Sequence, residues 1–457
     1  MSPGFPDGFE WGVATAAYQI EGAVAEDGRT PSVWDHFSHT PGRVAAGDTG
    51  DRACDHYHRM PGDVALMAAL GVRVYRFSVA WPRVLPEGTG AVNERGLDFY
   101  RRLLDELARH GIEPRLTLYH WDHPQALEER YGGWRSRRMA HDFADYAAVV
   151  VRALGDRVTR FTTLNEIACF THFSFDTAKP GFHAPGAQLG SRREVWQTSH
   201  HALVGHGLAV QAIRANAPRP CRVSLVDNLA VPVPYRESDA DVAAARRAVG
   251  VLGTNGGVLV PALTGRYEPR FVAAAEAMGE MPSIEPGDLA LIAQPLDELG
   301  LNVYTGQYVR AADDSPGFTV LPFPSGYPKL DMPWLDVVPE ALYWAVRHCV
   351  EELGFGGDLF VSENGCAARD VPDVRGEVLD LDRIVYLRAY LRQLERAIAE
   401  GHPVRGYCLW SLLDNFEWSW GLSKRFGLVY VDYATQRRVP KASAAWYSEC
   451  IRQNRVV

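Results

Sequence analysis

The sequence predicts an α/β fold, a single (β/α)8 TIM barrel with enlarged βα loops. Three observations carry this reading. Eight short apolar runs recur along the chain, at 9–18, 72–81, 113–121, 158–166, 222–228, 299–305, 358–363 and 404–412. Amphipathic stretches alternate with them, as eight strands joined by helices would require. No Ser/Gly/Pro-rich linker and no close repeat divides the 457 residues. One domain over 1–457 is therefore expected, although ~150 residues per domain would give about three. A doubly wound open sheet is the competing arrangement. Its first strand should lead into a Gly-rich phosphate turn, and GVATAAYQIEG is not one.

The runs are rich in Val, Ile, Phe, Tyr and Thr, as buried strands are. Between them, 96–110 and 382–400 read as helices. In the second, Ile384, Leu387, Leu391, Leu394 and Ile398 recur every three or four residues and line one face. A barrel places its chemistry on the face built from the loops that follow the strands. In order, the polar and aromatic residues expected there are Gln19, Arg76, His120 with Trp121, Asn165 with Glu166, Asn302 with Tyr304, Glu363 with Asn364, and Trp410. Polar groups at the ends of apolar strands cost free energy unless they are paired.

Composition excludes several classes. Hydrophobic residues at 47% and charged residues at 23% exclude disorder, collagen and coiled coil. The net charge of −9 repels phosphate backbones and anionic membranes, so neither nucleic acid nor a membrane is expected as a partner. Only four of the 47 basic residues are Lys (Lys179, Lys329, Lys424 and Lys441), which reads as codon bias. Seven dispersed Cys with no CxxC pair suit a reducing compartment. The first ten residues lack a signal peptide's pattern, and no apolar stretch approaches the ~18 residues of a membrane span. A cytoplasmic location is expected, and a homo-oligomer is left open.

Two carboxylates stand out, Glu166 in FTTLNEI and Glu363 in LFVSENG. At the ends of the fourth and seventh strands they would face each other across the barrel mouth. Paired carboxylates can separate their protonation, one staying ionised while the other holds a proton. Glycoside hydrolysis needs that, with about 5–5.5 Å between them for retention and ~6.5–9.5 Å for inversion. Twelve Trp, 19 Tyr and 18 Phe add a second clue, with Trp410, Trp418 and Trp420 crowded into LWSLLDNFEWSWG. Sugars present apolar faces to aromatic rings and hydroxyls to carboxylates, and Glu417 stands between Phe416 and Trp418. Most of the aromatics are expected to be packing. Histidine supplies a rival, a metal-assisted hydrolase, through His56/His58, His120/His123 and His200/His201/His206. Satisfied structural histidines explain most of these, His120 excepted.

From about Phe5 to Trp446 the chain resembles the glycoside hydrolase family 1 β-glucosidases. The matching segments are FPDGFEWGVATAAYQIEG, SVWDHF, GVRVYRFSVAWPRVLPEG, LYHWDHPQAL, TLNE, HAPG, LGLNVY, VSENG and LWSLLDNFEWSWGLSKRFGLVYVDY. The resemblance implies Glu363 as nucleophile and Glu166 as acid/base. It puts Arg76, Tyr304 and Asn302 around the nucleophile. It puts Gln19, His120, Trp121, Asn165, Trp410, Glu417, Trp418 and Phe426 on the substrate. No metal and no cofactor is implied, and the partner is a β-glucoside or oligosaccharide. Retention of Glu417 and Trp418 implies a free sugar 6-hydroxyl, and retention of Glu166 implies an O-glycoside, with glucose, galactose or fucose as the sugar. A transglycosidase and a non-catalytic sugar-binding barrel are the alternatives.

The sequence also departs from the family. Ile167 replaces the usual Pro after the acid/base, so a less rigid loop is expected there. The following segment, ACFTHFSFDTAKPGFHAPG, the stretch TNGGVLVPAL and Val303 also differ. Most of these lie in loops that would shape the aglycone side.

Overall fold

The computed structural model describes residues 4–457; residues 1–3, part of the N-terminal segment read above and of the 1–457 domain, lie outside it. Eight parallel strands close a barrel: β1 (Glu10–Ala14), β2 (Val74–Ser78), β3 (Glu113–Tyr119), β4 (Arg160–Asn165), β5 (Arg222–Asp227), β6 (Glu298–Asn302), β7 (Asp358–Asn364) and β8 (Val404–Trp410). Each pairs with its sequence neighbours, and β1 closes the ring by pairing with both β2 and β8. All eight expected runs hold a strand. The first run is shorter in strand than expected, because β1 stops at Ala14 and Ala17–Ile20 turns into a short helix. Gln19 is therefore on that helix and not at a strand end.

The expected helices 96–110 and 382–400 are Glu94–Arg109 and Leu381–Ala399. Their sisters on the barrel wall show why these segments fold so. In Arg138–Leu154, Met139, Phe143, Tyr146, Val150 and Leu154 are buried at three- and four-residue spacing, one stripe against the strands. Each such side chain contributes roughly 1.5–3 kcal/mol by leaving water. Tyr146 adds direction. Its hydroxyl lies 3.1 Å from the Val79 carbonyl and 3.0 Å from that of Leu118, tying the helix to the ends of β2 and β3.

The two ends of the barrel differ in chemistry. At the N-terminal end Arg115 on β3 donates to Glu10 on β1 (2.6 Å) and forks onto Glu298 on β6, while Arg160 on β4 forks onto Glu10 (2.6 and 2.9 Å). These pairs stopper the barrel. The C-terminal end carries the long loops, including a strand pair at Gln307–Ala311 and Phe318–Val320 and the segment 411–428.

Candidate active site

The site is built at the C-terminal end. Arg76 is the middle residue of β2, not its end as expected, and its long side chain does the reaching. One guanidinium nitrogen donates to Glu363 Oε1 and the other to Asn165 Oδ1 at 2.6 Å. Tyr304, two residues past β6, donates to Glu363 Oε2 at 2.7 Å. Both oxygens of Glu363 are thus held, one by a permanent cation. The Val303 amide donates to the Glu363 carbonyl at 3.0 Å, which fixes the backbone beneath.

Glu166 is the first residue past β4, and its φ of 48° lies in the left-handed region. Such backbone costs of order 1–3 kcal/mol and clusters at functional sites. Trp121 (φ 73°) and Trp418 (φ 50°) share it. Glu166 Oε1 accepts from Asn302 Nδ2 at 2.6 Å, and Asn302 also donates to Asn165 Oδ1 at 3.1 Å. Ser362 fixes the Asn302 amide by donating to its oxygen at 2.7 Å. A chain of amides and one guanidinium therefore links the two carboxyls. Burial pushes the Glu166 carboxyl up to about 8, and the nearby charge of Glu363 adds to the effect.

A pocket of aromatic and amide groups adjoins this pair. Gln19 Nε2 donates to the Phe416 carbonyl at 2.9 Å, to Asn415 Oδ1 at 3.1 Å and to Glu417 Oε2 at 3.3 Å. Burial, then Glu363 and Glu166, push Glu417 up to about 8. His120 stacks between Trp410 (5.9 Å) and Trp418 (5.8 Å), and Trp121 leans on Trp418 at 4.5 Å. Trp121 Nε1 donates to the Asn165 carbonyl at 2.8 Å. Because Asn165 Oδ1 already faces Arg76 and Asn302, its NH2 is turned to His120 Nε2 at 3.2 Å. Burial, then Arg76, hold His120 well below the ordinary imidazole range, so it is neutral with its proton on Nδ1.

Two buried polar atoms of this pocket have no protein partner, Gln19 Oε1 and His120 Nδ1. An unpaired buried donor and an unpaired buried acceptor are costly. A free acceptor and a free donor in one aromatic-walled site are what a polyhydroxylated ligand would satisfy. Phe426 is buried, its ring edge-on to Tyr304 at 6.2 Å.

The structure thus brings together the expected catalytic pair, the groups around Glu363 and the expected sugar-binding residues, and it sorts them from others the sequence offered. Asn364, beside Glu363, faces away: it donates to the Val303 carbonyl and accepts from Tyr407. Trp420 is only half-buried. The histidines of the rival reading are scattered on protein partners: His56 on Asp63, His58 on Asp55 and Glu26, His200 on Tyr267 and Asp288, His206 on Thr163. Among the described residues no three His, Cys, Asp or Glu side chains form a metal-binding set. A less rigid loop was expected after Glu166. Ile167 there is fully buried and opens the helix Ile167–Thr171, so its side chain is anchored by packing.

Sequence reasoning named no residue of the outer ring, although Phe173, Phe182 and His183 lie in the segment it expected on the aglycone side. Trp34, brought in by the capping box of Ser32 and Asp35, packs on Trp418 at 4.6 Å. His183 packs on Trp121 at 5.3 Å. Phe173 (41% exposed), Phe182 (50%) and Trp334 (43%) form a rim, with Trp334 edge-on to Tyr304 at 5.6 Å. Large exposed aromatics in loops carry no periodicity that would have marked them.

The model of glycosyl hydrolase family 1 matches residues 1–456. The chain is 42% identical to beta-glucosidase A of Thermotoga maritima, with 98% of each chain covered. It is 45% identical to a bifunctional beta-D-glucosidase/beta-D-fucosidase of Bifidobacterium breve, again over 98% of each chain. To thermostable beta-glucosidase B of Thermobispora bispora it is 48% identical, over 98% of this chain and 91% of that one. Among solved structures it superposes with TM-score 0.88 on the family 1 β-glucosidase of Thermotoga maritima in complex with isofagomine lactam, at 42% identity and 99% coverage of both chains.

Proposed function

The chain belongs to glycosyl hydrolase family 1, and on that premise we propose which residues run its reaction. The activity is that of a retaining β-glucosidase, and we propose that β-fucosides are also accepted, since one relative is named for both sugars. The observation that carries the residue assignment is the asymmetry between Glu166 and Glu363. Glu363 is held by a cation and a phenol, whereas Glu166 is held by neutral groups and raised to about 8.

Glu363 is the nucleophile. Arg76 and Tyr304 aim its two oxygens, and the carboxylate attacks the anomeric carbon while Glu166 gives its proton to the departing oxygen. A covalent glycosyl ester forms on Glu363, splitting one difficult displacement into two. Esterification removes the negative charge that helped to raise Glu166. Its affinity for a proton falls at the moment it must accept one, and it deprotonates the incoming water. The sugar leaves with its β configuration retained.

Gln19, His120, Asn165 and Glu417 hold the sugar hydroxyls, and Trp410, Trp418 and Trp121 wall its faces; Phe426 supports Tyr304. Gln19 Oε1 and His120 Nδ1 supply an acceptor and a donor free for this purpose. The three rim aromatics face the leaving group. Two further readings are part of the proposal: one domain over the chain, and residence in a reducing compartment such as the cytoplasm, supported by seven cysteines that are all free thiols. No described helix is long and apolar enough to cross a membrane.

Azide tests the acid/base assignment. With an aryl glucoside bearing a good leaving group, Glu166→Ala should accumulate glycosyl-enzyme, and azide should restore turnover by giving β-glucosyl azide. A folded Glu166→Ala that azide does not rescue removes Glu166 from that role.

A further inference from the structure

The loop that carries Tyr304 away from β6 is fastened from two other parts of the barrel. The Val303 amide donates to the Glu363 carbonyl at 3.0 Å, and Asn364 Nδ2 donates to the Val303 carbonyl at 2.7 Å. One residue on, the Tyr304 carbonyl accepts two hydroxyls, that of Tyr386 at 2.8 Å and that of Tyr390 at 2.7 Å. Both tyrosines come from the helix Leu381–Ala399, one turn apart and buried, with their rings stacked at 4.0 Å. A carbonyl oxygen offers two lone pairs and no proton, so both phenols donate to it. Each phenol also accepts: Tyr386 from Asn364 Nδ2 at 3.0 Å, Tyr390 from the Val338 amide at 3.0 Å. Both hydroxyls are thereby fixed on two sides.

We propose that Tyr386 and Tyr390 are positioning residues for the nucleophile: by gripping the Tyr304 carbonyl, they hold the Tyr304 phenol on Glu363 Oε2, where it donates at 2.7 Å. This rests on the reading of Glu363 as the nucleophile. Tyr304 works as a lever. Its carbonyl is at one end and its hydroxyl at the other, across a ring that cannot bend, so a slight backbone tilt is enlarged at the bond to Glu363. Its aromatic neighbours, Trp334 at 5.6 Å and Phe426 at 6.2 Å, are edge-on contacts that give the hydroxyl no hydrogen-bonding direction. A misplacement of about 1 Å at a reacting centre can cost on the order of 10²-fold in rate, so the groups behind a positioning side chain matter.

Asn364 ties this support to the strand that bears the nucleophile. It follows Glu363 on β7, and its NH2 bonds both the Val303 carbonyl and the Tyr386 hydroxyl. Tyr407 holds its amide oxygen at 2.8 Å. The nucleophile's strand and the helix Leu381–Ala399 are therefore bonded to the same two-residue stretch, Val303–Tyr304. Two phenols on one carbonyl also make the support redundant. Loss of either hydroxyl leaves the other in place, and loss of both frees the lever.

The test is a set of Tyr→Phe variants, which remove the hydroxyls and keep the rings. The readout is the first-order rate constant of inactivation by saturating 2,4-dinitrophenyl 2-deoxy-2-fluoro-β-glucoside, which times ester formation on Glu363. Tyr386→Phe and Tyr390→Phe should each slow it by about two- to fivefold, and the double variant by about 10–100-fold, more than the product of the singles. The concentration giving half-maximal inactivation should stay within about twofold, since the sugar-binding groups are untouched. In a Tyr304→Phe background, where the phenol they act through is gone, the same double change should cost less than about twofold. Melting temperatures should fall alike in both backgrounds, because the Val338 amide loses its acceptor whichever residue stands at 304. Should the double variant not fold, each single in the two backgrounds makes the same comparison. Rates within the error of the parent, or an equal loss with and without the Tyr304 hydroxyl, overturn the role of the tyrosine pair. Peptide mapping of the adduct on the parent keeps the two readings apart. An adduct on Glu363 with unmoved rates removes only Tyr386 and Tyr390, whereas an adduct elsewhere removes the nucleophile assignment and the pair with it.

Discussion

At the N-terminal end of the barrel two guanidiniums, Arg115 and Arg160, meet two carboxylates, Glu10 and Glu298, and every carboxylate oxygen has an Arg partner. At the C-terminal end one guanidinium, Arg76, serves a cluster of three carboxyls, Glu166, Glu363 and Glu417. Charge stoichiometry separates a stopper from a catalyst. Where cations match carboxylates the charges are neutralised in place, and where they fall short the surplus carboxyls hold protons near neutrality. The unpartnered Gln19 Oε1 and His120 Nδ1 belong to that second end.

The comparison breaks most visibly at Glu417. Glu417→Ala removes a carboxyl that no cation contacts, and kcat/KM for glucosides should fall about 10–100-fold, as for two lost hydrogen bonds to sugar hydroxyls. The melting temperature should hold or rise, because a buried carboxyl without a cation is itself a burden. A folded variant within threefold of the parent would take Glu417 off the sugar.

The opposite pattern is expected at Glu298. Glu298→Gln leaves the buried Arg115 short of a carboxylate and should destabilise by about 3–5 kcal/mol in denaturant titration. The kcat of the folded enzyme should stay within about twofold, since the reacting atoms sit at the other end. A large kcat loss without lost stability would contradict the division between the two ends.

The smallest effect is in pH. Glu166 and Glu417 both stand at about 8, above their ordinary 4.5. Between these values the folded protein holds protons that the unfolded chain has released, so their contribution to stability is complete below about pH 4.5 and lost as pH rises through 8. Glu417→Gln should therefore flatten the fall in melting temperature between pH 6 and 8.5, by an amount on the order of a few °C. A melting profile parallel to the parent's would show that Glu417 is not protonated in that range.

Much of this was legible in the sequence, for physical reasons. Alternating apolar runs and helical stripes announced the barrel, because a closed parallel sheet needs β-rich runs and amphipathic helices in turn. Glu166, Glu363 and Asn165 could be placed because they interrupt or end such runs. Arg76 was found in the right region but at the wrong depth, since a guanidinium on a long stem acts far from its own Cα. Gln19 was assigned to a strand that stops five residues earlier, at Ala14; the residues 15–18 are apolar enough to prolong the run, yet they turn into the helix that carries it. The loop with Phe173 and Phe182 was expected on the aglycone side, but its rim residues and Trp334 could not be named one by one, because they sit in irregular segments where position is set by packing on His183 and Tyr304 and not by any period. The helix that follows Glu166 escaped because the departure at Ile167 was read as lost stiffness, when it is a buried anchor.

The central claim is that Glu363 is the nucleophile and Glu166 the proton carrier. It is tested most directly by intact-protein mass after incubation with 2,4-dinitrophenyl 2-deoxy-2-fluoro-β-glucoside. This leaving group needs little acid help, so the measurement isolates the sugar pocket and the nucleophile. A single added fluoroglucosyl mass, mapped by peptide digestion to Glu363, is the predicted result. An adduct on another residue, or none in a folded protein that hydrolyses glucosides, would contradict the account.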